Sequence, residues 1–503
     1  MRITSFNFFV FLFLSLVVFY IFPKKYRWFA LLGISIFFFV FSSSWKLLLY
    51  MIFGIVVSYL GSNIIEKKCK NDKSKKIVLF LTLFLIVGEL AILKYINIFP
   101  ATINLFGSLF NLDIYFNTIN LLAPLGISYY TLSLIGYVTD VYRTTSKAQT
   151  NILKHALFTC YYPLLISGPV VRYNYMQREF FEEKKLDFNN LFIGFTRLIY
   201  GLLKKLVIAD QLSQVVNAVF SNYNYYTGWY LVVAVILYAI QIYADFSGCM
   251  DIVIGASKMY GVNLPENFNS PFFSKNLSEF WRRWHISLGT WGKDYIMYPL
   301  LKSNIFQKIG KKCKKLFGKK IGKLIPTIIS ILLLWLFIGL WHGASYKYIF
   351  AAGILPWIYL TVGQILEKPI EKLTEKLHIK TDCFSFRLFQ SLRTFFFMCV
   401  IWLFACSPSL RESIHIIKNI FVNASILLRN ELPVIPILPI LFSITIVFIV
   451  DYLNYKNIDV SLKFQEQNLI FKFIVLFAFI ITILIYGAYG PGYNPTDFIY
   501  GGF

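Results

Sequence analysis

The chain has 503 residues, 57% of them hydrophobic and 15% charged, well below the roughly 25% charged residues of an average soluble domain. Its formal net charge is +24, yet the lysines gather between apolar runs and no nucleic-acid-binding motif accompanies them, so no nucleic-acid partner is expected. Repeated apolar runs of 17 to 20 residues exclude a soluble α/β domain and predict an all-α polytopic integral membrane protein.

In chain order the predicted spans are 6–22, 28–44, 46–63, 77–96, 228–244, 325–341, 346–366, 388–406, 433–450 and 470–488. Softer apolar runs at 119–138, 154–171 and 191–209 carry Pro, Gly or Lys where a simple transmembrane helix would break or tilt. The expectation is therefore about 10 to 13 membrane-embedded helices, some short, tilted or re-entrant. The first run has no small-residue cleavage site and reads as a retained helix. Residues 1–503 read as a single integral-membrane domain, with no internal repeat visible.

Stretches 23–27, 66–76 and 302–323 are basic and read as loops, and 302–323 holds nine lysines and no acidic residue. With the near-neutral loop 42–46 between the first two, this predicts an N-terminus outside and lysine loops in the cytoplasm, against anionic lipid headgroups. The seven cysteines show no CxxC spacing, and neither a disulfide framework nor a metal site is expected.

Polar groups inside a membrane fold are costly unless they are paired or line a cavity. "YYPLLISGPVVRY" (161–173) breaks an apolar run with two prolines and a glycine and ends near Arg172. That arginine suits either a phosphate or carboxylate ligand or a snorkelling position at the interface. "QIYADFSGCMDIVIG" (241–255) places Asp245 and Asp251 six residues apart, on different faces of an ideal helix and so a poor acid–base pair. In "EFWRRWHISLGTWGKDYIMYPL" (279–300), helical spacing would align Trp281, Trp284, Leu288 and Trp291 on one stripe and Arg282, His285, Gly289 and Gly292 on another. The first stripe suits a membrane interface, and the second suits a helix lining an internal cavity. "LLLWLFIGLWHGASYKY" (332–348) then sets His342 after Trp341 at the end of an apolar run. Two histidines, each preceded by tryptophan, point to general-base chemistry near neutral pH.

These motifs resemble the membrane-bound O-acyltransferases. With "PLGISYYTLSLIGYVTDVYR", "SGPVVRY", "GLLKKLVIAD", "LPENFNSPFFSKNLSEFW" and the C-terminal "FIYGGF", the order is similar to that of the bacterial branch acting in alginate, peptidoglycan and capsule O-acetylation. The core motifs run from about 120 to 345. The resemblance implies a ring of tilted helices around a thinned centre in the bacterial cytoplasmic membrane. It implies His342 as principal catalytic residue and His285 as the second. No bound cofactor is implied; the donor would be a cytosolic thioester, acetyl-CoA in this branch, serving as co-substrate. The acceptor would be the hydroxyl of an extracytoplasmic surface polysaccharide, reached with an SGNH-type transferase partner. Trp281, Arg282, Arg283, Trp341, Arg172 and Asp245 are the candidate positioning or donor-binding residues, with an arginine meeting a donor phosphate. The lysines of 302–323 would concentrate an anionic donor or acidic carrier protein. Departures at Cys249 and Met250 leave the polymer open. A D-alanyl transferase for teichoic acid shares both histidines and remains an alternative. A glycan-lipid flippase or transporter would instead need inverted repeats, and none is visible.

Overall fold

The computed structural model describes residues 1–343, 345–422 and 432–490. Ala344 of the "GLWHGAS" motif and the C-terminal "FIYGGF" lie outside the described residues. Among those described, the secondary structure is helical, with no β-structure beyond one isolated bridge. Nine described helices are long and apolar enough to cross a membrane, and they cover most of each predicted span but the first. That one forms a shorter helix of 16 residues, Phe6–Ile21. The chain is thus an all-α polytopic membrane protein.

The softer runs break as their composition suggests. Run 154–171 divides at Tyr161 into helices Ile152–Cys160 and Tyr162–Ser167. Run 119–138 becomes helical only at Ile127. Run 191–209 passes from helix Phe188–Leu202 into a π-helical segment, Leu203–Ala209.

The residues form two compact units, Met1–Leu198 with Cys249–Pro265, and Ile199–Gly248 with Glu266–Phe503. In the first unit, polar side chains cap the helix starts: Ser5 accepts from Phe8 N, Asn71 from Ser74 N, and Asn151 from Leu153 N and Lys154 N. These caps satisfy N–H groups that the helix itself leaves without acceptors. Aromatic side chains fill the interior, with Phe11 edge-on to Tyr162 at 5.2 Å and Phe19 edge-on to Tyr260 at 5.1 Å. Two polar pairs inside this unit are matched, Ser58 Oγ with His155 Nε2 at 2.7 Å and Arg197 with Asp251 at 2.9 Å.

In the second unit, the wider π-helical turn changes the backbone bonding, and the Leu206 carbonyl accepts from Ala488 N at 3.0 Å. Helix Trp229–Met259 lies close against this segment. A Cβ at Gly248 would sit 2.9 Å from the Gly201 carbonyl oxygen, so only glycine fits there. The same contact buries charge. Lys205 Nζ donates to Asp245 at 2.6 Å and Asp210 at 2.8 Å, and all three side chains are buried. Lys204 Nζ donates to Ser247 Oγ at 3.1 Å and lies over the Tyr200 ring.

Helix Asn304–His342 runs for 39 residues but is broken at Gly318, where φ is 80° and ψ is 169°. The two arms fold back on each other closely enough that a Cβ on Gly322 would collide with the Lys314 backbone. This corrects the expectation of a loop at 302–323, since the lysine-rich stretch is helical on both sides of the break. Lysine is a good helix former, and exposed helix faces keep its ammonium groups in water. The basic loop at 66–76 shrinks likewise, because one helix ends at Lys67 and the next begins at Asp72.

Candidate active site

The stretch 279–300 is not one helix. It comprises part of helix Leu277–Arg283, then Ile286–Gly292, a π-helical turn Lys293–Met297, and the start of Tyr298–Lys302. The first break falls at His285, whose backbone is left-handed at φ 46° and ψ 51°, a conformation disfavoured for residues with a Cβ. The preceding loop holds it there: Asn269 N donates to the Arg283 carbonyl at 2.9 Å, and Ile286 N donates to the Asn267 carbonyl at 3.0 Å. Phe268 and Trp284 form the isolated antiparallel bridge between those two bonds.

The stripes drawn for a continuous helix therefore do not survive the break, and the tryptophans are not an interfacial row. Trp284 and Trp291 are each 3% exposed. Trp284 packs against Phe268 at 5.0 Å, Trp402 at 5.4 Å and Phe280 at 5.5 Å, while Trp291 stacks on Phe337 at 5.4 Å. Trp281 meets Trp335 edge-on at 4.7 Å. This aromatic block fixes the turn that carries His285.

His285 is buried and meets the Phe246 ring edge-on at 4.8 Å. Its ring centroid lies 5.8 Å from that of Trp341, which in turn lies 5.1 Å from that of His342. Two motifs distant in sequence thus share one indole. His342, half-buried, ends helix Asn304–His342. His285 lies outside the nine spans, and burial lowers its pKa, with the neighbouring His342 lowering it further. The ring is accordingly neutral at pH 7.

Asn267 was not singled out by the sequence, although it sits in the polar turn "PENFNSP" between apolar segments. It is 1% exposed. Its Oδ1 accepts from Ser287 N at 3.0 Å and from Ser287 Oγ at 2.9 Å. His285 Nδ1 lies 3.2 Å from its Nδ2 and 3.3 Å from its Oδ1.

The other candidates separate. Arg283 is held by Glu279 at 2.9 Å, donates to the Asn269 carbonyl at 3.1 Å, and lies over the Tyr455 ring. Arg282 is exposed. Burial lowers the pKa of Lys293, and the charge of Arg282 lowers it further while Asp294 opposes, which makes Arg282 and Lys293 neighbouring cations. Asp245 is engaged by Lys205 within the buried ion network. Arg172 precedes helix Tyr173–Phe181 in the first unit, half-buried. Among the described residues, no group of three or more His, Cys, Asp or Glu side chains could hold a metal ion.

A model of the membrane-bound O-acyltransferase family matches residues 146–407, about half of the chain, including both histidines. The chain is 33% identical over 354 residues to a probable alginate O-acetylase of Azotobacter vinelandii, covering 69% of this chain and 65% of that protein. It thus spans just under two thirds of that relative's length. It is 29% identical over 427 residues to a peptidoglycan O-acetyltransferase of Helicobacter pylori, covering 79% of this chain and 73% of the relative. It is 28% identical over 296 residues to a teichoic acid D-alanyltransferase of Bacillus subtilis, covering 54% and 69% respectively.

Proposed function

Because the chain belongs to the membrane-bound O-acyltransferase family, we propose that it transfers an acetyl group from cytosolic acetyl-CoA towards hydroxyls of an extracytoplasmic surface polysaccharide. The observation that carries this reading is the convergence of His285 and His342 on Trp341. Two imidazoles so placed supply the two functions that ester formation from a thioester requires, a base and an oxyanion donor.

In the proposed step His342 removes the proton from the acceptor hydroxyl as its oxygen bonds to the thioester carbonyl carbon. His285 donates a hydrogen bond to the developing oxyanion. Collapse of the tetrahedral intermediate breaks the carbon–sulfur bond, and the proton on His342 passes to the departing thiolate. The products are an ester and a free thiol, and His342 returns to its neutral form. Arg282 and Lys293 suit the anionic end of the donor, and the lysines on both arms about Gly318 suit its approach from the cytoplasm. The same reading sets the N-terminus outside a bacterial cytoplasmic membrane. It also calls for an SGNH-type partner to complete transfer to the polymer.

The experiment is His342→Ala, followed by mass spectrometry of surface polymers. We expect loss of the ester groups with normal membrane insertion, and a strong but lesser loss with His285→Ala. Unchanged ester content in His342→Ala overturns the assignment. The similarity to a teichoic acid D-alanyltransferase supports a second reading, and the same spectra distinguish D-alanyl from acetyl esters by mass.

A further inference from the structure

We infer that Asn267 holds His285 as the Nε2–H tautomer, so that His285 serves as a hydrogen-bond donor and leaves proton removal to His342. The chemistry rests on the O-acyltransferase reading above; the tautomer rests on the hydrogen bonds around Asn267 alone.

A backbone N–H can only donate. The amide atom of Asn267 that faces Ser287 N at 3.0 Å is therefore Oδ1, and the orientation of the amide is fixed. Ser287 Oγ donates to the same oxygen at 2.9 Å, so both lone pairs of that carbonyl are used. The remaining amide atom, Nδ2, is a donor only, and it lies 3.2 Å from His285 Nδ1. It bonds Nδ1 only if that nitrogen carries no proton. A protonated Nδ1 would have to press a third donor onto Oδ1 at 3.3 Å and set its N–H against the amide N–H. The ring proton of the neutral imidazole therefore sits on Nε2.

The bond is sheltered, since Asn267 and His285 are 1% and 5% exposed. The same side chain also accepts from Ser287, and the Asn267 main-chain carbonyl accepts from Ile286 N. One residue thus fixes the left-handed turn and the protonation pattern of the ring together. Asn267 is a positioning residue, acting through His285 and touching no substrate itself.

The separating variant is Asn267→Asp. It keeps an oxygen for Ser287 N and Oγ but replaces the amide donor with a second acceptor, which draws the ring proton to Nδ1. The chain has five histidines, so ring 15N signals in detergent-solubilised protein are assignable by single substitutions. Long-range correlation to the carbon-bound ring protons tells Nδ1 from Nε2. Wild type is expected to carry the His285 proton on Nε2 and Asn267→Asp on Nδ1. In that variant kcat should fall about 10²-fold, the cost of losing one oxyanion donor, with an unchanged KM for the thioester and an unchanged unfolding temperature. A wild-type proton on Nδ1 overturns the inference whatever the activity, as does full kcat in a variant whose proton has moved. Should Asn267→Asp not fold, the wild-type spectrum still decides the tautomer. A wild type with the proton on Nε2 that transfers no acyl group from any thioester leaves the role of Asn267 standing and overturns the enzymatic reading.

Discussion

Adjacent arginines can have opposite jobs, and Arg282 and Arg283 illustrate how. Arg283 is engaged by a carboxylate, a backbone carbonyl and an aromatic face, so its planar fork is consumed within the fold. Arg282 is exposed beside Lys293 and available to an anionic ligand. Arg282→Ala is expected to raise KM for a thioester donor about tenfold, the worth of one charge-assisted hydrogen bond, with little change in kcat. Arg283→Ala should instead lower the unfolding temperature. Steady-state kinetics and a thermal melt on the two purified variants separate the roles. The doublet "RR" in the sequence marks both residues equally. What divides them is the left-handed turn at His285, which sets the Arg283 carbonyl against Asn269, and no local pattern announces that turn. Asn267 carries no local signal for the same reason: its importance comes from reaching His285, 18 residues away.

The π-helical segment Leu203–Ala209 matters because of what it carries inward. Lys205 is buried with two carboxylates, Asp210 five residues on and Asp245 on a separate helix. Asp245 neighbours Phe246, whose ring meets His285, so the ion network lies one residue from the site's wall. Buried pairs return little net stability when intact, but removal of one partner strands the others. Lys205→Met leaves two carboxylates without this cation and should cost about 3–5 kcal/mol, read as a fall in unfolding temperature in detergent. Asp245→Asn, which keeps an oxygen towards Lys205, should cost less. The sequence alone marks a soft apolar run over 191–209 and Asp245 as a candidate site residue. It has no means of joining Asp245 to Lys205, because a π-turn and an α-turn draw on the same amino acids and differ by one residue of register.

At the scale of the molecule, hydropathy alone located the spans, since a hydrocarbon slab demands long apolar helices from any sequence that crosses it. Charge patterning is a poorer guide to form. Lysine-rich stretches suggest loops because charges leave the bilayer, yet leaving the bilayer does not require leaving the helix, and the arms about Gly318 are helical. The proposed orientation puts residues 66–76 and the lysine arms in the cytoplasm, and two cysteines report on it. Cys69 and Cys313 are both partly exposed. A membrane-impermeant maleimide is expected to label them in inside-out vesicles and not in intact cells. Labelling in intact cells would reverse the orientation.

The backbone at residue 285 also governs how any substitution there is to be interpreted. Alanine at φ 46° bears the strain of that conformation without the imidazole, so lost activity in His285→Ala mixes a missing side chain with a disturbed turn. Asparagine visits left-handed backbone more readily than other residues with a Cβ, and His285→Asn removes the imidazole while sparing the turn. Comparing the two variants separates the chemical contribution of the ring from the folding cost of its address.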